Sequence, residues 1–535
     1  AAFSGRPPTP SASHALRASL REMAEFLAET SAWAVLATVL SLLVGVAVLF
    51  RRRGSSASAA NGANGFEGKR ERIAYEDLVD PKVRSNHLAF NEMLHRSFAG
   101  QQFVPVSGED GCFVVFDYAT AKLVLNDHSH FSSNPFPDNR LVALNTMSKA
   151  DHARVLRYVH GHYAQDEVGS LEDRIREIIE RCTDDLEQGR VDVARWAKRV
   201  HMAVSLTQLG VDLGGCGVGG GESRRESWDW KRVDEVIDLN DAMVYLVAPL
   251  GGVGRRYEEL PPAQWLQVLA GLLRSIPATL AMAWRLGLRC TWEIIRPDVT
   301  VLLPPRRPRM GLWWHPELLQ LVPRYFLALH DLLGDGTTEK GPVPGIRKGV
   351  DSGDLQLAEA LTLMVQLMVN MTSANALANM VFRLATEPEA AKAAAEEPDC
   401  LAAAFVQEVL RLDAPLQRNP RRVAKRPEGK WAGTPLKESD TVLVFIGAAN
   451  MDPAVFPEPA KFRLDRDCGD KAALSFGSGM HYCLGSNVVK LEMRCALEIL
   501  LQRFASVELK SGQRLDDVDV GNWGFRSLEV DLRRR

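Results

Sequence analysis

The spacing of apolar and polar positions is helical over most of the chain after about residue 70. Apolar residues recur every three or four positions, which places them on one face of an α-helix. The strongest such stretches are 119–126, 168–189, 355–386, 390–412 and 486–504. We therefore predict a mainly helical fold.

Strand patterns occupy a smaller part of the chain. Residues 103–106 and 112–116 are apolar runs joined through Gly-Glu-Asp-Gly, which predicts a β-hairpin. Another apolar run at 441–446 predicts a further strand. The expected fold class is therefore mainly α with a minor β region (α+β).

The N-terminal part has the pattern of a membrane anchor. Residues 31–50 carry no charge, and as a helix they would extend about 30 Å, the thickness of a bilayer's hydrocarbon core. Three arginines follow at 51–53, which favours a cytosolic position for what comes next. We expect a single-pass protein, as in the endoplasmic reticulum. Residues 1–20 contain arginines and serines but no acid, so a plastid or mitochondrial transit segment is the alternative.

Composition shifts divide the chain into three parts. Residues 1–53 form the anchored extension, and 54–70 are a flexible linker beginning with Gly, Ser and Ala. Residues 71–535 form one catalytic domain with an enlarged middle region at 209–350. Within that region, 265–292 is apolar but interrupted by arginines and a proline, which indicates a core helix or a membrane-dipping amphipathic segment.

Charge and motifs exclude several classes of function. The net charge of −3 argues against a nucleic-acid partner. The eight cysteines show no C-x-x-C spacing, so neither a zinc site nor a disulfide framework is indicated. The chain also lacks a phosphate-binding loop ending in Lys-Ser/Thr, H-E-x-x-H and G-x-S-x-G.

One cysteine lies between a glycine-rich loop and an apolar helix. Residues 476–485 read Phe-Gly-Ser-Gly-Met-His-Tyr-Cys-Leu-Gly. Gly477 lets the backbone turn tightly against a flat macrocycle, and Gly485 lets the next helix approach it. The N–H groups at the start of that helix favour a thiolate at Cys483, beside which Phe476 would pack. This arrangement is typical of a thiolate that holds haem iron, although a buried structural cysteine is the alternative for Cys483 alone.

A second constellation lies upstream. Glu408 and Arg411 are three residues apart on a predicted helix, so they share a face and can form a charge-assisted pair. Such a pair is in most proteins an ordinary solvated one.

Together these segments resemble the cytochrome P450 superfamily, especially its bacterial-type members. The resemblance covers roughly residues 75–535 and depends on three ordered segments. These are EVLRLDAPLQRNPRRVA from Glu408, GAANMDPAVFPEPAKF at 447–462, and the Cys483 loop. It implies a triangular, helix-rich prism around a buried haem b.

The resemblance assigns roles to individual residues. Cys483 matches the axial iron ligand, and Glu408 and Arg411 match the family's structural ion pair. Four residues match or replace the side chains that meet the haem propionates: His481, Arg421, His152 and Arg154. In the distal pocket, Thr372 matches the oxygen-activating threonine, and Ser373 follows it.

Several positions depart from the family pattern. Lys461 stands where the family has the arginine that completes the structural triad, and Leu156 occupies the place of a propionate arginine, which Arg154 or Arg157 would have to replace. Met371 replaces the usual distal acid, and Val369 replaces the glycine that opens the groove for dioxygen.

The resemblance implies a membrane-anchored haem-thiolate monooxygenase. It would use dioxygen and an electron-donating reductase or ferredoxin to insert one oxygen atom into a lipophilic small molecule. Because Met371 is not an acid, a haem-thiolate isomerase, dehydratase or peroxygenase is the alternative. A non-catalytic haem protein is a third possibility, because several departures occur in one chain.

Overall fold

The structure is a computed structural model of the chain. It describes residues 71–79, 85–133, 144, 147–184, 186, 189–211, 213, 230–247, 262–294, 321–334, 340–368, 371–466, 472–511 and 523–535. The predicted span at 31–50 and the linker at 54–70 lie outside these residues. The described chain forms two compact units, and the smaller one includes 262–294 and 321–331, inside the predicted middle region.

Helices make up most of the described chain. Their bounds are α1 Tyr75–Val79, α2 His87–Ser97, α3 Tyr118–Asn126, α4 Lys149–Leu156, α5 Gln165–Gly169, α6 Glu172–Asp184, α7 Val193–Gln208, α8 Trp230–Val247, α9 Pro262–Leu286, α10 Leu321–Gly334, α11 Val343–Asp351, α12 Leu357–Leu367, α13 Met371–Thr386, α14 Pro388–Glu396, α15 Pro398–Leu412, α16 Ile446–Ala449 and α17 Ser486–Arg503. The predicted helices at 119–126 and 486–504 are confirmed by α3 and α17.

Two predicted helices are each divided in two in the described chain. The stretch 390–412 breaks because Pro398 cannot continue α14 and instead begins α15. The stretch 168–189 becomes α5 and α6. The stretch 355–386 contains α12 and α13, and residues 369 and 370 between these two helices lie outside the described residues. Met368 ends α12 with non-helical dihedral angles.

Two sheets accompany the helices. The strands are β1 Ile73–Ala74, β2 Val104–Ser107, β3 Cys112–Val115, β4 Phe131–Ser132, β5 Gly189–Asp192, β6 Arg418–Val423, β7 Thr441–Phe445, β8 Phe504–Leu509 and β9 Glu529–Arg534. The larger sheet has the order β1-β2-β3-β7-β6-β4, and the smaller has β5-β9-β8. The predicted hairpin is confirmed, since β2 and β3 pair antiparallel with Val104 opposite Val114.

Both faces of the larger sheet are buried. Along β7, Val442 and Val444 join one hydrophobic cluster, whereas Leu443 and Phe445 join another. This alternation follows from the two-residue period of a strand. The helices α7, α15 and α17 pack on α13, which makes α13 a central helix of the larger unit.

In the smaller unit, α9 has one exposed and one buried side. Leu273, Ile276, Leu280 and Trp284 are 58%, 47%, 64% and 70% exposed, whereas Met282 is buried. Arg285 of α9 forms an ion pair with Asp331 of α10. The predicted segment 265–292 is therefore amphipathic rather than buried on all sides.

One stretch of the described chain, Leu357–Thr386, has the length and apolar composition that crossing a bilayer requires. Most of it is buried within the protein. This is also what the central core helices of globular proteins show.

Candidate haem-binding site

Backbone geometry holds the Cys483 loop in a tight turn. The Cys483 N–H donates to the carbonyl of Phe476 over 2.9 Å, which closes the loop across its glycines. Gly477 and Gly479 have φ angles of 76° and 73°, a region that favours glycine. At Gly479 a Cβ would also lie 2.5 Å from Asn126 Oδ1, so α3 leaves no room for a side chain there.

Two opposing effects act on the Cys483 thiol. Its side chain has exposed surface, yet the surrounding protein raises the pKa of the thiol by desolvation. The backbone N–H groups of Gly485 and Ser486, together with Lys490, act in the opposite direction. The start of α17 thus favours the thiolate as expected, but burial outweighs it in the free thiol. A bound metal ion would reverse this balance, because a coordinated thiol is deprotonated.

The helix α15 and the segment after α16 fix the start of the loop. Asn450 donates from Nδ2 to Ser475 Oγ over 2.9 Å and accepts the Leu474 N–H over 2.7 Å. Ser475 in turn donates to the Leu410 carbonyl over 2.6 Å. The loop is therefore attached to the same helix that carries Glu408 and Arg411.

Glu408 and Arg411 form the predicted pair in the core. Arg411 donates from Nε and Nη2 to the two carboxylate oxygens over 2.8 and 2.6 Å. Both residues are 3% exposed or less. Arg411 also donates to the carbonyls of Asn450, Pro459 and Lys461, so the pair holds the backbone that precedes the Cys483 loop.

Arg466, which sequence reasoning did not single out, completes this group. It donates from Nε to Glu408 Oε1 over 3.1 Å, and its side chain is 7% exposed. Lys461 instead pairs with Glu458, and its side chain is 68% exposed. Arg466 therefore makes the contact with Glu408 that the family pattern assigns to an arginine at the position of Lys461, five residues earlier.

Three histidines and one arginine lie together near the loop. The His481 ring centroid is 5.1 Å from that of His152 and 5.4 Å from that of His128. Ser133 Oγ lies 2.9 Å from His481 Nε2, and the Met480 N–H donates to His128 Nε2 over 3.2 Å. No sequence motif had indicated His128, which joins the group only through folding.

The electrostatics of this cluster favour an anion. Burial lowers the pKa of His481 to about 3, with further lowering by Arg421, His152 and His128. Burial also lowers the pKa of Arg421 to about 10 and that of His152 below its ordinary value. Arg421 Nε and His481 Nδ1 are buried without a hydrogen-bond partner in the described chain. These donors fit the two carboxylates of a haem.

Arg154, which we predicted to meet a propionate, forms an ion pair with an acid of α12. Its guanidinium pairs with Glu359 over 2.7 Å and donates to the Asp354 carbonyl. Arg157 pairs with Asp354 as well. Carboxylates of Asp354 and Glu359 therefore hold both arginines in the described chain.

The candidate distal residues begin α13. Met371 and Ser373 are buried, and Thr372 is half-buried. Asn240 of α8 donates from Nδ2 to the Met368 carbonyl over 2.9 Å, at the point where α12 ends. Val369 lies outside the described residues.

Comparison with known proteins agrees with this site. The family model described as Cytochrome P450 matches residues 354–529. "Cytochrome P450 144" of Mycobacterium tuberculosis is 37% identical over 174 residues, which are 32% of this chain and 37% of that protein. "Biotin biosynthesis cytochrome P450" of Bacillus subtilis is 33% identical over 185 residues, covering 34% and 45%. The chain thus matches less than half the length of these relatives.

Solved structures share the fold over a longer stretch. CYP109E1 from Bacillus megaterium, solved with testosterone, superposes with a TM-score of 0.61 at 17% identity, covering 84% of this chain and 99% of its own. P450BioI, solved with an acyl carrier protein ligated to hexadec-9Z-enoic acid, gives 0.58 at 20%, covering 84% and 100%. The predicted fold class is confirmed.

Proposed function

We propose that this chain is a haem-thiolate monooxygenase, because the family model described as Cytochrome P450 matches residues 354–529 and a cytochrome P450 of Mycobacterium tuberculosis is 37% identical over 174 residues. It uses dioxygen and electrons from a reductase or ferredoxin to insert one oxygen atom into a lipophilic small molecule. The observation that carries the proposal is the placement of Cys483, at the start of α17 on a loop braced by Asn450 and Ser475.

The residues present would hold haem b. Cys483 would supply the axial sulfur, with Phe476 beside it, and a Cβ at Gly485 would meet no protein atom within 4 Å. The cluster of Arg421, His152, His481 and His128 would bind the carboxylates. When bound, a haem with a thiolate ligand supplies the oxygen-activating chemistry.

The protein's own contribution on the distal side is proton handling. Met371 has a thioether and cannot donate a proton, so Thr372 Oγ1 must be resupplied from water or from the Ser373 hydroxyl. We therefore expect reductase-driven turnover to be slow, with much reducing power lost as peroxide.

A reduced carbon-monoxide difference spectrum of the purified, haem-loaded protein tests the assignment. Cys483→Ala should abolish the thiolate-type spectrum. Cys495→Ala is the matched control, because Cys495 is buried within α17, the helix that follows Cys483, and should leave the spectrum intact. Retention of the thiolate-type spectrum without Cys483 would refute the proposal.

The buried Met371 favours a second candidate. A haem-thiolate isomerase, dehydratase or peroxygenase would need no proton donor for the activation of dioxygen. Turnover with a reductase and reduced nicotinamide would support the monooxygenase, and turnover with hydroperoxide alone would support a peroxygenase. Met371→Glu should improve the yield of product per electron only in the monooxygenase.

Two further observations support an apolar substrate. Testosterone and a long-chain acyl group are the ligands named for two proteins of the same fold. The exposed stripe of α9, defined as Leu273, Ile276, Leu280 and Trp284, offers a surface for a bilayer in which such molecules dissolve.

Residues of α9 suit the surface of a membrane. At about 100° per residue, the stripe covers about 80° of the helix surface, and Arg274 and Arg285 lie together on one flank. The 25 residues of α9 include no acid, as expected for a helix that contacts anionic headgroups. We therefore propose membrane contact at α9 in addition to the predicted span at 31–50, with the catalytic domain on the cytosolic side.

A further inference from the structure

The helix α4, which carries His152, has little apolar packing. The structure describes all eight of its residues, and among them Val155 alone is buried. His152 and Arg154 are two positions apart, so at about 100° per residue they project from nearly opposite sides of the helix. On one side, the His152 ring centroid is 5.1 Å from that of His481. The position of α4 therefore depends largely on the polar contacts of its other side.

Those polar contacts reach the start of α12. Arg154 donates from Nη2 to Glu359 Oε1 over 2.7 Å and from Nη1 to the Asp354 carbonyl over 2.6 Å. Glu359 Oε2 accepts the Gln356 N–H over 2.9 Å, which fixes the carboxylate at the beginning of the helix. The side chains of Arg154 and Glu359 are 27% and 22% exposed. A planar guanidinium held at two points has a fixed orientation as well as a fixed distance.

The residues directly after α4 are attached to the same region. The Asp354 carboxylate accepts hydrogen bonds from Arg157 and from the Tyr158 hydroxyl, the latter over 2.6 Å. At Gly345 of α11, a Cβ would lie 2.9 Å from the Tyr158 carbonyl oxygen, so α11 packs closely on the chain that leaves α4. The acids at 354 and 359 therefore brace α4 on the side opposite His152.

We propose that Glu359 is a positioning residue for the binding of the haem carboxylates. By holding Arg154, it keeps α4 where His152 joins the cluster with His481, Arg421 and His128. Glu359 acts through α4 and need not contact the haem. This inference rests on the proposed haem-binding function and adds a residue to it.

Transfer of haem from the full-length, haem-loaded protein to excess apomyoglobin provides the test. The transfer rate measures how firmly the protein holds haem, whichever ligand the iron has. Glu359→Gln and His152→Ala should each speed transfer about tenfold, which corresponds to the loss of one hydrogen bond to a charged group. In the His152→Ala background, Glu359→Gln should add no further acceleration, because both residues act through the same contact.

Glu177→Gln is the matched control. Glu177 pairs with Arg174 and Arg181 within α6, and its side chain is 32% exposed, so the substitution weakens comparable ion pairs on another helix and should not change the transfer rate. Arg154→Lys is a second variant should Glu359→Gln fail to fold. It keeps the charge but loses the planar fork, and it should also speed transfer only while His152 is present.

Other outcomes would overturn the proposal. If Glu359→Gln slows haem transfer, Glu359 competes with the haem for Arg154, and Arg154 itself meets a carboxylate. If it speeds transfer equally with and without His152, Glu359 contributes only general stability. An unchanged rate would show that α4 needs no brace. A missing thiolate-type spectrum in the unmodified protein, with transfer rates as expected, would instead refute the monooxygenase assignment and leave the role of Glu359 standing.

Discussion

At the scale of single residues, the buried charges of the larger unit depend on their partners. Asp413, directly after α15, has no exposed surface. Arg383 donates to both of its carboxylate oxygens, and His87 Nε2 lies 3.2 Å from Oδ1. Burial alone would raise the pKa of Asp413, but Arg383 and His87 hold it below the ordinary value.

Asp413→Asn should therefore destabilise the fold strongly. The substitution leaves the buried guanidinium of Arg383 with only the partly exposed Glu387 as a charged partner, at a cost of about 3–5 kcal/mol in the free energy of unfolding. Because the native pKa of Asp413 is lowered, its contribution is present above pH ~4 and is lost as the pH falls further. Denaturant unfolding between pH 3 and 7 should show a weaker acid loss in the variant than in the unmodified protein.

Glu387 offers a matched control for that experiment. It also pairs with Arg383, at 3.1 Å, but its side chain is 32% exposed. Glu387→Gln should cost under about 1 kcal/mol, because water screens and replaces a partly exposed partner. If the two substitutions lowered the free energy of unfolding equally, the burial of Asp413 would not make its ion pair with Arg383 more important than the exposed one.

At the scale of elements, Glu408 connects α15 to the irregular segment 457–466. Its carboxylate accepts from Arg411, the Arg463 N–H and Arg466 Nε. The segment has no helix or strand of its own in the described chain, so these bonds and the packing of Phe456 and Phe462 define its path.

Substitution of Arg466 should therefore weaken stability and haem retention much more than substitution of Lys461. Arg466→Ala removes a largely buried bond to a charged group, which contributes about 1.5–3 kcal/mol, and should weaken haem retention during gel filtration. Lys461→Ala should leave haem retention and the unfolding midpoint unchanged. If Lys461 proved the more damaging site, Arg466 would not be the arginine that completes this group.

Local signals explain which elements could be predicted from the sequence. The start of α3 is fixed by Asp117, whose side chain accepts the Thr120 N–H, so its predicted bounds were nearly right. The break at Pro398 was also a local signal, and the single helix predicted across it was wrong. The parallel pairing of β3 with β7 joins residues more than 300 positions apart, and no local pattern encodes such a partner.

The residues of the candidate site also fall into those that a local motif indicated and those that only the fold brings together. Motif spacing singled out Cys483 and the Glu408–Arg411 pair, because their chemistry depends on nearby residues. The role predicted for Arg154 stays a prediction, and its partner in the fold, Glu359, lies 205 positions away where no local pattern could indicate it. His128 and Arg466 were missed because nothing in their sequence neighbourhood distinguishes them from other basic residues.

At the scale of the whole molecule, the exposed stripe of α9 concentrates large apolar side chains on one helix face. Single exposed hydrophobic residues are common on proteins, whereas a contiguous set indicates an interaction surface. The stripe has Trp284 near one end and Arg274 and Arg285 on its flank. This composition matches a helix lying in the headgroup region of a bilayer.

Removing the stripe should weaken a membrane contact that does not depend on the predicted span. A chain lacking residues 1–53 should still sediment with vesicles of phosphatidylcholine and phosphatidylglycerol, and more weakly with phosphatidylcholine alone. Leu280→Ser with Trp284→Ser should lower that binding at least tenfold, because each buried apolar side chain contributes roughly 1.5–3 kcal/mol. Leu123→Ser, which changes an exposed leucine of α3, should leave binding unchanged. If the paired substitution leaves vesicle binding intact but abolishes self-association measured by light scattering, the stripe is a contact between copies of the chain rather than a membrane surface.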